Sequence, residues 1–242
     1  METPDLLGKG IYSFSSAARI VDAYPQSVRR WSEGYSFKSC NRAGRSKSPP
    51  LLLTPAIQYD EHSVLTFEQL IEILFVRLFR AQGVAMPVIR AAALRASRLF
   101  NSEHPFAVEG LKTDGRDIFH ITPSDVDDLS HAAIAESLAK GQMIMADMAL
   151  PYFKRLRYDN LIASQYWPLG EDRKVVIDPE RSFGEPIDAS TGTPTRIIYG
   201  RYTAGDPVER IAYWYNASQA SVRDAIEFET KARQKPGTRF AL

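Results

Sequence analysis

The stretch "SAARIVDAYPQSVRRW", Ser16–Trp31, decides the fold at the start of the chain. Its first half has the apolar spacing of one short helix, and Ser15 or Ser16 can cap the N-terminus of that helix because a serine hydroxyl accepts from free backbone N–H groups. The buried face is predicted to consist of Ala17, Ile20 and Val21.

A second helix follows after a connection of three residues, Asp22–Tyr24. Pro25 suits its first position, where the missing N–H costs nothing, and Gly34 ends it after Glu33. Val28 and Trp31 are three residues apart and are predicted to face the first helix. Two short helices with a tight turn form a helix-turn-helix, the arrangement that presents its second helix to DNA.

A basic hairpin is predicted after the second helix. The segment "NRAGRSKSPP" separates Tyr35 and Phe37 from the extended-looking "LLLTPAIQY". We interpret this region as a long β-hairpin, or wing, with Arg42, Arg45 and Lys47 at its tip. Residues 8–50 carry eight Lys/Arg and two Asp/Glu, a balance that suits a polyanion.

These features together predict contacts to DNA. Basic side chains that neutralise phosphates release counterions, and arginine can pair with O6 and N7 of guanine together. For the helix arginines and for the wing, the alternative is an ordinary solvated surface. The predicted DNA-binding residues are Ser16, Gln26, Ser27, Arg29, Arg30, Arg42, Arg45 and Lys47.

A strongly apolar helix is predicted from Thr66 to about Arg80. Its apolar residues occupy more than one face, which favours burial on two sides. We therefore expect a homodimer whose interface includes Phe75 and Phe79. Pro87 should start the next helix, which runs to about Phe100.

The middle of the chain is predicted to be a hairpin and helical connector, residues 107–169. Asp114-Gly115 is a hairpin turn signal, and helix resumes after it. The aromatic, proline-containing "SQYWPLGEDRK", residues 164–174, is interpreted as a linker.

The C-terminal segment is predicted to be a small helical domain, residues 170–231, after the N-terminal domain at 1–106. "KVVIDP" indicates a strand, and helices are expected at about Thr195–Thr203, Pro207–Tyr215 and Ser218–Lys231. The last two read again as helix, turn, helix, with Ser218, Gln219, Ser221 and Arg223 exposed. Residues 170–230 carry seven Lys/Arg and eleven Asp/Glu, a balance that would repel DNA, so a structural or dimerising role is expected for this second pair of helices, with a contact to DNA or to a partner protein as the alternatives. The aromatics Tyr199, Tyr202, Tyr213, Trp214 and Tyr215 favour packing, with a small-molecule pocket as the alternative.

Several functional classes are not indicated. Cys40 is the single cysteine, and the histidines (His62, His104, His120 and His131) lack metal-ligand spacing. Asp125, Asp127 and Asp128 open a predicted helix, where carboxylates complement the helix dipole. No phosphate loop or nucleophile elbow is present. We therefore expect that the protein is not an enzyme and binds no metal or cofactor. Because the sequence has no apolar span and no signal peptide, we also expect the protein to be cytoplasmic.

Two resemblances to known families refine these expectations. Residues 11–106, with "YSFSSAARIVDAYPQSVRRW" and "LTFEQLIEILFVRLFRAQGVAMPVIRAAA", resemble the winged helices of MerR-type proteins. The wing, about 30 residues here, is longer than that family's. The resemblance implies a mainly α fold with a MerR-like winged helix-turn-helix followed by a small helical domain with short strands.

The C-terminal segment is similar to the domain of unknown function 433 family. The motifs that carry the similarity are Ile177-Asp178-Pro179, Gly184-Glu185-Pro186-Ile187, Gly192-Thr193 and Gly205-Asp206-Pro207. The family arginine after Gly-Thr is replaced here by Pro194, and Arg196 is the nearest arginine. Longer members of that family with an added helix-turn-helix look like VapB-type antitoxins, whose partners are PIN-like ribonuclease toxins.

The resemblance implies a dimeric antitoxin that binds double-stranded operator DNA, represses its own operon and neutralises a PIN-like toxin. The basic tail, residues 232–242, would then order on the toxin through Arg233, Arg239, Phe240 and Leu242, since guanidinium pairs with clustered carboxylates. A solubilising tail, or one that adds a DNA contact, is the alternative. Other candidate functions are a ligand-responsive MerR-like regulator without a toxin partner and an adaptor that binds only protein.

Overall fold

The structure is a computed structural model that describes residues 8–38, 45–59, 62–111, 151–234 and 236. The hairpin turn at Asp114-Gly115, the helix expected after it and the tail residues Arg239, Phe240 and Leu242 lie outside these ranges. Within them, no helix has the length and apolar character needed to span a membrane.

In the N-terminal part, as far as the structure describes residues 8–111, four α-helices combine with short strands. Its helices are α1 (Phe14–Val21), α2 (Pro25–Glu33), α3 (Phe67–Ala81) and α4 (Met86–Phe100). Its strands are β1 (Tyr12–Ser13), β2 (Tyr35–Lys38), β3 (Arg45–Ser48), β4 (Ile57–Tyr59) and β5 (His62–Leu65). Strands β2 and β3 form an antiparallel hairpin, and β5 pairs with both β1 and β4.

The C-terminal part adds a four-stranded antiparallel sheet and three helices. The sheet has the order β6 (Leu156–Asp159), β7 (Ile162–Tyr166), β8 (Val175–Ile177) and β9 (Pro186–Asp188). The helices are α5 (Thr195–Thr203), α6 (Val208–Trp214) and α7 (Gln219–Arg233). The described chain is therefore a mixture of helices and antiparallel sheets, where the sequence predicted a mainly α fold.

Helix boundaries follow local chemistry. Helix α2 begins at Pro25 and ends before Gly34 as predicted. The cap of α1 was predicted at Ser15 or Ser16, which is wrong: Ser13 is the N-cap and its side chain accepts from the N–H of Ser16. Three serines within four residues can all cap a helix, and the pairing of Ser13 in β1 selects among them.

The predicted dimer interface at Phe75 and Phe79 is also wrong. Both side chains are fully buried within one chain. The ring of Phe75 lies 4.9 Å from that of Phe153, and Phe79 meets Phe106 edge-on at 5.8 Å. These later segments supply the second layer that the apolar helix α3 requires, so neither phenylalanine reaches a surface.

The predicted linker at residues 164–174 does not separate two units: residues 164–166 belong to β7, and residues 167–174 are the turn from β7 to β8 of the same sheet. Tyr166 ends β7 and is buried in the same apolar cluster as α1 and α3, together with Ile177 of β8. Trp167 packs with Val176 and Ile187 in a second cluster. Because one cluster contains side chains from both halves, the helix-turn-helix and the sheet share a core.

One buried carboxylate joins the first helix to the last. Glu229 of α7 has no exposed surface and accepts from Arg19 of α1 at 3.1 Å, from the hydroxyl of Thr195 and from Arg233. Burial lowers the pKa of Arg19 and of Arg233. An ionised carboxylate inside a protein needs such partners to offset its lost hydration.

Removing this carboxylate should therefore destabilise the protein. We expect Glu229→Ala to lower the free energy of unfolding by about 1 to 3 kcal/mol, because it leaves the buried hydroxyl of Thr195 and the half-buried guanidinium of Arg19 without their acceptor. Urea unfolding followed by tryptophan fluorescence measures the loss. The control is Glu180→Ala on the surface, which should stay within about 0.5 kcal/mol of wild type. Equal stabilities of the two variants would contradict the role given to Glu229.

Candidate functional site: the outer face of helix α2 and the C-terminal unit

The turn between α1 and α2 is held from below by α3. Asp22 adopts the left-handed conformation, with φ of 57°. Arg77 of α3 donates through Nε to the Asp22 carbonyl at 2.7 Å and through a second nitrogen to its carboxylate at 3.2 Å. Val28 is fully buried against this scaffold. The opposite face of α2 is thereby fixed toward solvent.

That outer face carries the side chains predicted to contact DNA. Gln26, Arg29 and Arg30 are exposed and Ser27 is half-buried. The guanidinium of Arg29 donates to Glu33, one helical turn later, at 2.8 Å, and this hydrogen bond raises the pKa of Arg29 and lowers that of Glu33. Arg30 lies over the ring of Tyr35 at 5.4 Å. Both arginines are thus oriented before any partner arrives.

The hairpin follows α2 directly. Its register pairs Tyr35 with Ser48 at the base and Lys38 with Arg45 at the far end. Arg45 and Lys47 therefore belong to strand β3, whereas Arg42 lies outside the described residues. At the base, Arg90 of α4 donates to the carbonyl of Pro49 at 3.0 Å, a contact that the sequence did not predict.

Ser16 serves the start of α1. Its hydroxyl donates to the carbonyl of Ser13 at 2.9 Å, and its backbone N–H donates to the Ser13 hydroxyl at 3.1 Å. The predicted DNA contact of Ser16 stays a prediction, and any such contact would have to share a hydroxyl that already donates to the carbonyl of Ser13.

Arg233, predicted to bind a toxin, is engaged by its own chain. It pairs with Glu229 and lies over the ring of Tyr199 at 4.3 Å. Helix α7 continues through Arg233, two residues beyond the predicted end of the helix at Lys231. The sequence shows that Arg233 and Glu229 are four residues apart, but it does not show that Glu229 is buried. The pairing was therefore not predicted.

The motifs of the C-terminal segment have structural roles. Gly184 has φ of +80°, and a Cβ on it would collide with the hydroxyl of Tyr12. Asp188 is fully buried and accepts from the backbone of Ser190 and Thr191 and from the hydroxyl of Ser221. Ser221 was predicted to be exposed, which is wrong, because this contact anchors α7 to β9. The sequence did not single out Asp188.

Clusters of metal-ligating side chains and cavities are further places where a site could form. Among the described residues no three His, Cys, Asp or Glu side chains gather where a metal ion could bind. His104 instead contacts the buried Glu72 at 3.1 Å. A cavity of about 220 Å³ lies beside α2, lined by Tyr24, Trp31 and Arg77 among others, and another of about 260 Å³ lies between β7 and α7. Neither of these cavities is lined by the aromatics of α5 and α6.

Comparison with known proteins gives three findings. Residues 175–228 match the family model described as "Protein of unknown function (DUF433)". The chain is 24% identical over 224 residues to the protein named "Putative antitoxin VapB45" of Mycobacterium tuberculosis, covering 90% of this chain and 92% of that one. The fold is similar to the crystal structure of Rv2018 from Mycobacterium tuberculosis, with a TM-score of 0.67 at 20% identity over 89% of this chain and 96% of that chain. The chain thus carries a DUF433 segment and has a distant, near full-length relative named as an antitoxin.

Proposed function

We propose that this protein is a DNA-binding antitoxin of a toxin–antitoxin system. It represses its own operon as a dimer with a MerR-like winged helix, and it neutralises a PIN-like ribonuclease. The observation that carries the proposal is the outer face of α2, a solvent-facing row of Gln26, Arg29 and Arg30 held rigidly by Arg77. The near full-length similarity to a protein named as an antitoxin supports the same function.

The ligand-responsive regulator is less well supported. It needs an effector pocket built by the C-terminal aromatics, but Tyr213 is 84% exposed and the two described cavities are lined by other residues. An adaptor that binds only protein would not need a rigid row of arginines beside a basic hairpin. The antitoxin accounts for both halves of the chain.

The arginines of α2 supply the first test. We expect the double variant Arg29→Ala/Arg30→Ala to bind a duplex from its own promoter more weakly by about 1 to 3 kcal/mol for each arginine that reads a base. Fluorescence anisotropy at fixed salt measures the affinity. The control is Arg223→Ala, an exposed arginine on α7 that contacts Gln219 at 2.9 Å. Unchanged affinity of the double variant would rule out α2 as the reading helix.

The wing supplies a different signature. Arg45→Ala should weaken specific and scrambled duplexes alike, because a contact to phosphate carries no sequence information. The plot of log affinity against log salt should become shallower by about 1 for each phosphate that Arg45 neutralises in the wild type. Titrations at four salt concentrations measure the slope. An identical slope in wild type and variant would place Arg45 away from DNA.

The tail is tested by truncation. Because α7 extends to Arg233 and that residue pairs with Glu229, deletion after Gln234 keeps the helix and removes only the basic end. We expect the truncated protein to bind promoter DNA normally and to lose inhibition of the ribonuclease encoded beside it, since Arg239, Phe240 and Leu242 are absent. RNA cleavage assays with the co-purified proteins measure inhibition. Full inhibition by the truncated protein would assign the tail another role.

A further inference from the structure

Three aromatic side chains are exposed on the outside of the C-terminal helical unit. Tyr213 is 84% exposed, and Trp214 and Tyr202 are each 46% exposed. The small core beneath them consists of Ile198, Ile211, Ala212, Val222 and Ala225. Single exposed apolar residues are ordinary, but a group of large aromatics on neighbouring helices marks a contact surface.

Two arginines complete this surface. The guanidinium of Arg201 lies 4.6 Å from the ring centre of Trp214, and that of Arg210 lies 5.9 Å from it. Asp206 pairs with both arginines at 3.5 Å. We refer to Arg201, Tyr202, Arg210, Tyr213 and Trp214 as the aromatic–arginine patch. Because these contacts order Trp214 and the two arginines, binding of a partner would cost these three side chains little conformational freedom.

The charge around the patch does not suit nucleic acid. The helices α5 and α6 and their connection, residues 195–215, have one more basic than acidic side chain, too small a surplus, and the surrounding residues 170–230 as a whole have four more acidic than basic side chains. Affinity for a phosphate backbone requires a surplus of basic side chains. Tyrosine, tryptophan and arginine are, by contrast, the residues that contribute most to protein–protein contacts.

A second copy of this chain is also a poor occupant. A two-fold contact centred on Trp214 would bring the same patch from each copy together. Four arginines would then face each other, and each copy of Asp206 already pairs with the two arginines of its own chain. A different protein that presents a carboxylate within an apolar surface fits better, because each stacked guanidinium keeps N–H donors free for bidentate pairing.

We infer that the aromatic–arginine patch binds the toxin of the proposed function, through an apolar surface of the toxin that carries at least one carboxylate. This inference rests on that function and adds to it a surface formed by α5 and α6, separate from the tail. Tyr213 and Trp214 supply the apolar area, and Arg201 and Arg210 receive the carboxylate. The tail and the patch would hold one toxin at two places.

The experiment compares full-length variants in binding to the protein encoded by the adjacent gene. Tyr213→Ala and Arg210→Glu remove the apolar and the charged contribution. Their matched controls are Tyr59→Ala, a tyrosine 48% exposed on β4, and Arg157→Glu, an arginine over the ring of Trp167 at 5.1 Å that pairs with Glu171. Calorimetry measures toxin affinity, anisotropy measures promoter affinity, and light scattering measures the molecular mass.

We expect Tyr213→Ala and Arg210→Glu each to weaken toxin binding by about 30-fold or more, the effect typical of a residue at the centre of an interface. Promoter affinity and mass should not change, and the two controls should bind toxin as wild type does. Wild-type toxin affinity in both patch variants overturns the inference while leaving the proposed function standing. A halved mass with unchanged toxin affinity assigns the patch to a second copy and also overturns it. If the wild-type protein does not bind the adjacent gene product, the proposed function and this inference fail together.

Discussion

The buried carboxylate of Glu229 is the constraint on which the arrangement of the two halves depends. It accepts from Arg19 of α1, Thr195 of α5 and Arg233 at the end of α7, so one ionised group fixes three helices. A buried ion pair adds little net stability compared with apolar packing, but it tolerates few alternative geometries. The contact therefore specifies how the helix-turn-helix is oriented on the C-terminal unit.

Besides this carboxylate and the shared apolar core, backbone shape also joins the two halves. The N–H of Ile11 donates to the carbonyl of Phe183 at 3.1 Å, and Gly184 leaves room for the Tyr12 hydroxyl. Tyr12 precedes Ser13, the residue that caps α1. The motif glycine of the C-terminal segment thus fixes the position of the strand from which the helix-turn-helix begins. In this chain the matched segment, residues 175–228, therefore forms a helical unit and also supports the strand β1 that precedes α1.

The sequence predicted the elements that have capping or helix-ending residues at their boundaries, and it missed the elements that depend on partners far away along the chain. Pro25 and Gly34 bound α2, and Ser218 caps α7, because capping and proline preferences act within one turn. The strand β7 within the supposed linker is paired by β6 and β8, and no local signal shows that pairing. Phe75 looked like an interface residue because its ring partner, Phe153, is far away along the chain. The outward face of α2 followed from helical periodicity, but Asp188, Arg90 and the environment of Glu229 required the folded chain.

The pairing of Arg29 with Glu33 has a consequence for how a duplex could lie on α2. Glu33 also accepts from the hydroxyl of Ser63 on β5 at 2.9 Å, so its charge is held in place at the C-terminal end of the helix. A fixed negative charge repels phosphate, whereas the N-terminal end of α2 is the positive end of the helix dipole and attracts it. The helix is therefore polarised along its length, and only an approach led by Gln26 avoids the repulsion. Exclusion of wrong orientations contributes to selectivity as much as attraction does.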